Sequence, residues 1–442
     1  MVNKTLTVPW VDRFGAERAF QAQSDRLPGG EVAHLCVAAL FCMSVGLPMT
    51  APEIGLALLL GAWLVGLLAV RGTQKYVLLQ PVALLGAAFA AWTALGLLWT
   101  PDRARGFEQW GALRFGLAVL AIWPVLRWRG VLIGAMAAGC LAGNGAQAVV
   151  WWAEQRGVEW LIPDFVNHGP GRVGGWWPPV YAGLVLVAAL GLHLPAALMA
   201  KGWQRWAGLA GSAVTLVGLA ATGTRGAWIA AAGLIVLCAG VAVLRARAWK
   251  PVIIAAAVGI VVCGGVWLGA GDAVSKRVSA AWTEAGRAMK QGDYNSDNGL
   301  RVLMAIWAVD ATRAHPVAGV GAGGYAAWVA ANAQRRDDAA YARFRESDHG
   351  HCHNAVLQAA ATGGAVGAAL LLLWVGAGVG AGFRAGRGYA EGPAWALVGL
   401  LLMAPFDAWQ VNGQSAAVLG VLLALCPGWL PPPAGAWVTP RA

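Results

Sequence analysis

Runs of roughly 20 apolar residues, the length that crosses a bilayer core, follow one another along this chain with short polar hinges between them. They fall at about 31–49, 54–70, 79–99, 110–126, 131–150, 178–199, 206–222, 227–244, 251–270, 353–380, 394–410 and 415–430. Backbone placed in lipid must satisfy its own hydrogen bonds, so each run is expected to be a helix. The chain is 58% hydrophobic and 12% charged over 442 residues, where a soluble domain is about 25% charged. Its mean hydropathy is +0.59. Two soluble domains could not hide that much apolar surface, so lipid is the expected solvent. The expected fold is all-α, a polytopic membrane protein of about twelve transmembrane helices. The 25 Trp suit membrane interfaces and the 61 Gly suit close helix packing in lipid.

Charge orients the bundle. The net charge of +11 would also suit a nucleic-acid binder, but Lys and Arg sit in alternate hinges rather than in one patch. Those hinges hold Arg71 and Lys75, Arg127 and Arg129, Lys201 and Arg205, Arg245, Arg247 and Lys250, then Arg384 and Arg387. The first 30 residues add Lys4, Arg13, Arg18 and Arg26, whereas the opposite hinges at 50–53 and 411–414 have neither Lys nor Arg. The positive-inside rule then makes both termini cytoplasmic. Residues 1–30 are expected to be a cytoplasmic tail with no removable signal peptide. Residues 31–270 hold spans one to nine, 353–430 hold spans ten to twelve, and 431–442 form a second cytoplasmic tail. Six of the seven Cys lie in apolar runs and no CxxC occurs, which argues against a disulfide framework or a zinc ribbon.

Two longer segments face outward, 151–177 and 271–352. In the second, Val274, Val278, Ala281, Trp282, Ala285 and Met289 recur at helical spacing, the mark of an amphipathic helix lying on the bundle or the bilayer. "NGLRVLMAIWAVDATRAHP" predicts another helix, capped by Asn298 or Asp297 and ended before Pro316. "GVGAGGY" at 319–325 is expected to be a flexible turn that includes Tyr325, a possible supporting or sugar-contacting residue. It lacks the Lys-Ser/Thr of a phosphate loop.

The outer face collects unusual side chains. Arg172 precedes the sixth run, Arg225 sits on a tight hinge in "ATGTRGAW", Arg301 starts the helix after "NSDNG", and Arg103, Arg105 and Arg114 flank the third and fourth runs. A guanidinium grips phosphate with two parallel hydrogen bonds and keeps its charge. Interfacial arginines also bind ordinary lipid headgroups. Arg225 is the exception, because positive charge on a short outer hinge is disfavoured. Asp407 lies inside the eleventh run near its outer end, where an ionisable group marks a functional site by default. "HGHCHNAVLQ" sets His349, His351 and His353 at alternate positions. On a strand they would share a face and could hold a metal with Glu346 or Asp348. At the start of a helix His353 could be a catalytic base, and all three could be a polar rim.

"HNAVLQAAATGGAVG" at 353–367 is similar to the signature of bacterial O-antigen ligases: His353 and Asn354, nine residues, then Gly364 and Gly367. "TGTRGAW" at 222–228 and the Arg301 helix followed by His-Pro and Gly-Val-Gly resemble two further segments of that superfamily, which includes O-antigen polymerases and protein O-oligosaccharyltransferases. The resemblance implies a membrane-embedded, GT-C-type glycosyltransferase with a mainly helical periplasmic segment between spans nine and ten. Its donor would be an O-antigen polysaccharide on undecaprenyl diphosphate. Its acceptor would be a sugar hydroxyl of lipid A–core, met at the periplasmic face of the inner membrane. It implies no metal ion, and no cofactor is expected; nor is nucleic acid a partner. His353 matches the family's catalytic histidine, and Arg225 and Arg301 match arginines used on the diphosphate. Arg172 and Arg114 are further donor candidates, and Asn354, Asp407, His349 and His351 are candidates for support or sugar contact. A transporter or lipid flippase, and a metal-dependent membrane hydrolase, are the readings from other classes.

Overall fold

The computed structural model describes residues 29–70, 77–162, 172–247, 279–332, 339–346 and 350–427, with isolated positions between them. The described residues form helices and connections, with no strand. The helices are α1 (Gly30–Ser44), α2 (Thr50–Ala69), α3 (Pro81–Leu95), α4 (Arg103–Ala112), α5 (Ala118–Ile122), α6 (Arg129–Arg156), α7 (Pro179–Met199), α8 (Trp203–Thr222) and α9 (Arg225–Ala246). Then come α10 (279–291), α11 (Asp297–Ala314), α12 (Tyr325–Asn332), α13 (Ala339–Glu346), α14 (Ala355–Arg384), α15 (Gly392–Met403) and α16 (Gly413–Leu425). Among the described residues, six helical stretches are long and apolar enough to cross a membrane, and α1 and α16 are shorter apolar helices. The chain is a multi-pass membrane protein. Nearly all of the expected ninth span, 251–270, most of the first expected tail and all of the second, 431–442, lie outside the described residues.

α7 is buried almost end to end, from Ala182 to Leu198. It is apolar all round, so neighbours must cover every side; α6, α8, α9, α15 and α16 do so. The outer helices turn Leu58, Leu68, Val217, Ile229, Val236 and Leu244 outward. A soluble protein does not tolerate such a surface, and in a bilayer it is the lipid-facing side. A second, smaller core packs Leu300, Met304 and Trp307 of α11 on Tyr325, Tyr341 and Phe344. That core gathers α11, α12 and α13 into a helical unit packed on the start of α14.

Several expectations change. The run at 110–126 is not one α-helix but 3-10 turns at Leu113–Leu117 and Trp123–Trp128 around the short α5. Pro124 lies in the second of these and cannot donate a helical hydrogen bond. The eleventh run stops at Met403, two residues before Pro405, so Asp407 lies in the 404–412 connection rather than within a span. α11 is capped by Ser296, whose hydroxyl accepts from the Gly299 amide at 3.0 Å, not by Asn298 or Asp297. Asp297 pairs instead with Arg343 of α13 at 2.7 Å. On α10, Trp282 and Met289 are 78% and 80% exposed, so that face of the helix is open to its surroundings.

The 319–325 turn is packed. Every residue in it is buried, and it docks on a break in α14. At Gly364 the backbone leaves the helical region (φ 64°, ψ −165°). The carbonyls of Ala361 and Thr362 instead accept from Val320 and Gly321 at 2.9 and 3.1 Å, and Ala365 donates to Pro316 at 2.8 Å. A Cβ on Gly364 would lie 2.1 Å from the Val317 oxygen, and one on Gly319 would lie 2.4 Å from the Thr362 carbonyl carbon. Glycine in both segments is therefore a steric requirement of one joint.

Candidate functional site

The joint aims the start of α14 at the 404–412 connection. Asn354 is the N-cap of α14, its side chain accepting from the Leu357 amide at 2.9 Å. His353 therefore stands one residue outside the helix, not in its first turn. It holds a left-handed backbone, φ 51°, a conformation uncommon for residues other than glycine and one that surrounding contacts must enforce. Those contacts are present. The Cys352 amide donates to Gln358 Oε1 at 3.0 Å, and the Ala355 amide to the Ala404 oxygen at 2.8 Å. Gln410 Nε2 donates to the Ala355 oxygen at 2.8 Å.

That bracing sets the His353 imidazole against Asp407, with Nδ1 3.8 Å from Oδ1. Asp407 is 1% exposed, and its Oδ2 has no hydrogen-bond partner among the described residues. Burial raises its carboxyl above the ordinary range, opposed by the positive charge of His351 and Arg301. His351 packs edge-on against His353 at 4.4 Å between ring centres, and its Nδ1 accepts from the His353 amide at 3.3 Å. The carboxylate beside the histidines thus comes from Asp407, over fifty residues away in sequence; Glu346 is exposed at the end of α13. Asp348 and His349 lie outside the described residues.

The arginines arrive from three sides. Arg301, on α11, donates to the Phe406 carbonyl at 2.9 Å. Burial pulls its guanidinium down, Asp407 and Asp297 restore it, and Arg225 opposes it. Arg225 opens α9 two residues after Gly223, which has φ 59°, with Thr224 as the N-cap between them. Its neighbour Gly226 abuts the Phe406 side chain, so closely that a Cβ would lie 2.5 Å from it. The residue before Asp407 therefore touches both helices that bring an arginine. Arg172 braces the hinge, donating to the Thr222 oxygen and to Thr224 Oγ1, both at 3.2 Å. Gln147 of α6 holds that loop in turn, through the Val173 oxygen at 2.6 Å and the Gly218 oxygen at 2.9 Å.

Two expected contributors stand apart. Arg114 is exposed and committed to Glu53 at the start of α2 and to the Gly111 oxygen. Tyr325 is fully buried, donates to the Met304 oxygen at 2.7 Å, and packs edge-on against Phe344. It belongs to the core of the outer helical unit and offers no surface to a sugar. Sequence reasoning missed Gln358, Gln410 and Gln147, although amides inside apolar runs are a signal worth following.

His351, His353 and Asp407 offer ligand atoms that lie within 4.8 Å of one another. Three such donors can take a transition metal, but a cation there would meet the Arg301 charge that acts on Asp407. Chemically the cluster combines a nitrogen base, a buried carboxylate beside it, and fixed cations around both. That set can take a proton from a hydroxyl and stabilise an anionic leaving group.

A family model described as O-antigen ligase matches residues 210–372. Comparison with curated proteins gave no match. The matched stretch contains Arg225, Arg301, His353, Gly364 and Gly367, whereas Arg172, Asp407 and Gln410 lie outside it.

Proposed function

We propose that this chain, whose residues 210–372 match a family model described as O-antigen ligase, is itself an O-antigen ligase. It transfers a polysaccharide from undecaprenyl diphosphate to a sugar hydroxyl of lipid A–core. The reaction takes place at the periplasmic face of the inner membrane, in a GT-C-type bundle of about twelve spans. The observation that carries the reading is His353 held 3.8 Å from a buried Asp407, with Arg301 and Arg225 converging on the same connection.

The chemistry follows from that arrangement. The acceptor hydroxyl is a weak nucleophile until its proton is taken, and His353 is placed to take it. With Nδ1 toward Asp407, Nε2 is the atom left for the acceptor. As the new glycosidic bond forms at the anomeric carbon, the bond to the diphosphate breaks and negative charge grows on the leaving oxygen. Arg225 and Arg301 stabilise that charge in a site of low dielectric, and Arg172 keeps the Arg225 hinge in place. A single in-line attack inverts the anomeric centre. The His353–Asp407 separation is longer than a hydrogen bond, as is common in substrate-free sites that tighten on binding.

The alternatives within the superfamily are a protein O-oligosaccharyltransferase and an O-antigen polymerase. A transporter or flippase would instead place its polar groups at the bilayer midplane on interrupted helices. The convergence of His351, His353 and Asp407 is the one observation that favours a metal-dependent hydrolase.

The test is His353→Ala in a strain lacking its own ligase, with surface lipopolysaccharide resolved on a gel. The variant is expected to lose the polymer ladder, since a general base contributes about 10²–10⁴-fold. A restored ladder would remove His353 from the chemistry. Failure of the wild type to restore the ladder, with glycosylation of a pilin instead, would turn the reading to the protein transferase. Inhibition of the purified protein by a chelator would favour the metal reading.

A further inference from the structure

Glu284, on α10, faces Arg225. Its Oε2 is 3.9 Å from the nearer Arg225 terminal nitrogen, and the two side chains are 25% and 28% exposed. That separation is too long for a hydrogen bond, and Glu284 Oε2 makes none among the described residues although the atom is buried. A carboxylate oxygen thus rests in the field of Arg225 without being bonded to it. Arg225 also opposes the charge of Arg301. Two guanidiniums brought to one place repel each other, and an anion between them relieves the repulsion. Glu284 supplies an anion on the Arg225 side of that pair, from a helix that takes no other part in the cluster. Around it, Ser279, Thr283 and Arg287 of α10 line an open cavity of about 310 Å³, with Lys276 at its edge. The carboxylate therefore stands at a polar recess rather than in a closed core.

From this geometry we infer that Glu284 is an internal stand-in for the donor's diphosphate. It neutralises Arg225 while the site is empty and gives way when the diphosphate arrives. The inference rests on the reading of Arg225 as a diphosphate ligand. A diphosphate oxygen pair can take the parallel, two-bond geometry of a guanidinium, which Glu284 at 3.9 Å does not make. Once displaced, Glu284 has Arg287 three residues along the same helix face to turn to. After transfer the lipid diphosphate has lost its glycan and gained negative charge, so Arg225 would hold it more firmly than the donor. Glu284 then competes for the arginine and eases release of the product. Arg225 is neutralised in both states, and α10 follows the occupancy of the site.

The test uses the full-length protein in nanodiscs and inorganic diphosphate as the probe, titrated calorimetrically at low salt. Glu284→Gln is expected to bind diphosphate about 2–5-fold tighter than wild type, the range for losing a partly exposed competing ion pair. The gain is expected to shrink as salt rises. Product inhibition by the lipid diphosphate is expected to strengthen in the same variant. Equal or weaker diphosphate binding in Glu284→Gln, while Arg225→Ala loses binding, overturns the stand-in and leaves the diphosphate reading of Arg225 in place. Unchanged binding in Arg225→Ala overturns both. A thermal midpoint that falls in Glu284→Gln with no gain in affinity marks the pair as structural and likewise overturns the inference.

Discussion

His353 combines a backbone conformation that its side chain disfavours with a position next to a buried carboxylate. The strain is local, and the four hydrogen bonds around residues 352–357 hold it. Asp407 experiences the opposite of what a surface acid does, because burial raises its carboxyl. The sign of the resulting pH dependence follows. A raised native value means the folded state binds more protons than the unfolded chain between the ordinary and the raised value, so stability from this group falls as pH rises through that window. Asp407→Asn is expected to abolish that slope when thermal midpoints are followed from acidic to neutral pH. The same variant is expected to reduce transfer, less severely than His353→Ala, because the imidazolium formed in the reaction loses its counter-charge. Transfer at the wild-type rate would show that Asp407 serves packing alone.

Among the helices, the joint between α14 and the 316–325 segment decides where His353 points. The two glycine-rich stretches look separate in sequence, and the earlier one suggested mobility. Packed together, each supplies what the other lacks: the break at Gly364 frees carbonyls, and the amides of Val320 and Gly321 take them. Gly364→Ala is expected to cost about 1–3 kcal/mol from the backbone conformation alone. The clash with the Val317 oxygen adds to this. The variant should show a lowered thermal midpoint and less monodisperse protein after detergent extraction. Ser296→Ala, which removes only the α11 cap, is expected to cost about 1 kcal/mol and to leave the joint intact. A wild-type midpoint for Gly364→Ala would mean that α14 can heal the break.

Across the bundle, the arginines of the site and those of the topogenic hinges occupy opposite ends of the same helices. α9 shows it: Arg225 opens the helix beside Phe406, and Arg245 near its other end pairs with the fully buried Glu391 at 2.6 Å. The orientation is checked by labelling cells with permeabilised outer membranes, using an impermeant maleimide in a Cys36→Ala background. Gln291→Cys is expected to label and Lys201→Cys to remain unlabelled until the inner membrane is opened. The reverse pattern would put the His353 cluster on the cytoplasmic side.

Helix character and a lipid environment were legible in local sequence, because apolar length and hinge charge are read by the bilayer one segment at a time. Eleven of the twelve apolar runs coincide with described helical segments. The Arg225 hinge, the Arg301 helix and the His353–Asn354 pair were legible through short motifs whose residues are neighbours in sequence. The partner of His353 was not. Asp407 reaches it only because Pro405 follows the end of α15 and Gln410 ties the connection to the start of α14. Nor could local pattern separate Tyr325, buried in a core, from a surface tyrosine, or show that Arg114 belongs to Glu53. Periodicity and composition act along the chain. Which charge meets which is set by packing between helices far apart in sequence, and in this protein that packing assembles the site.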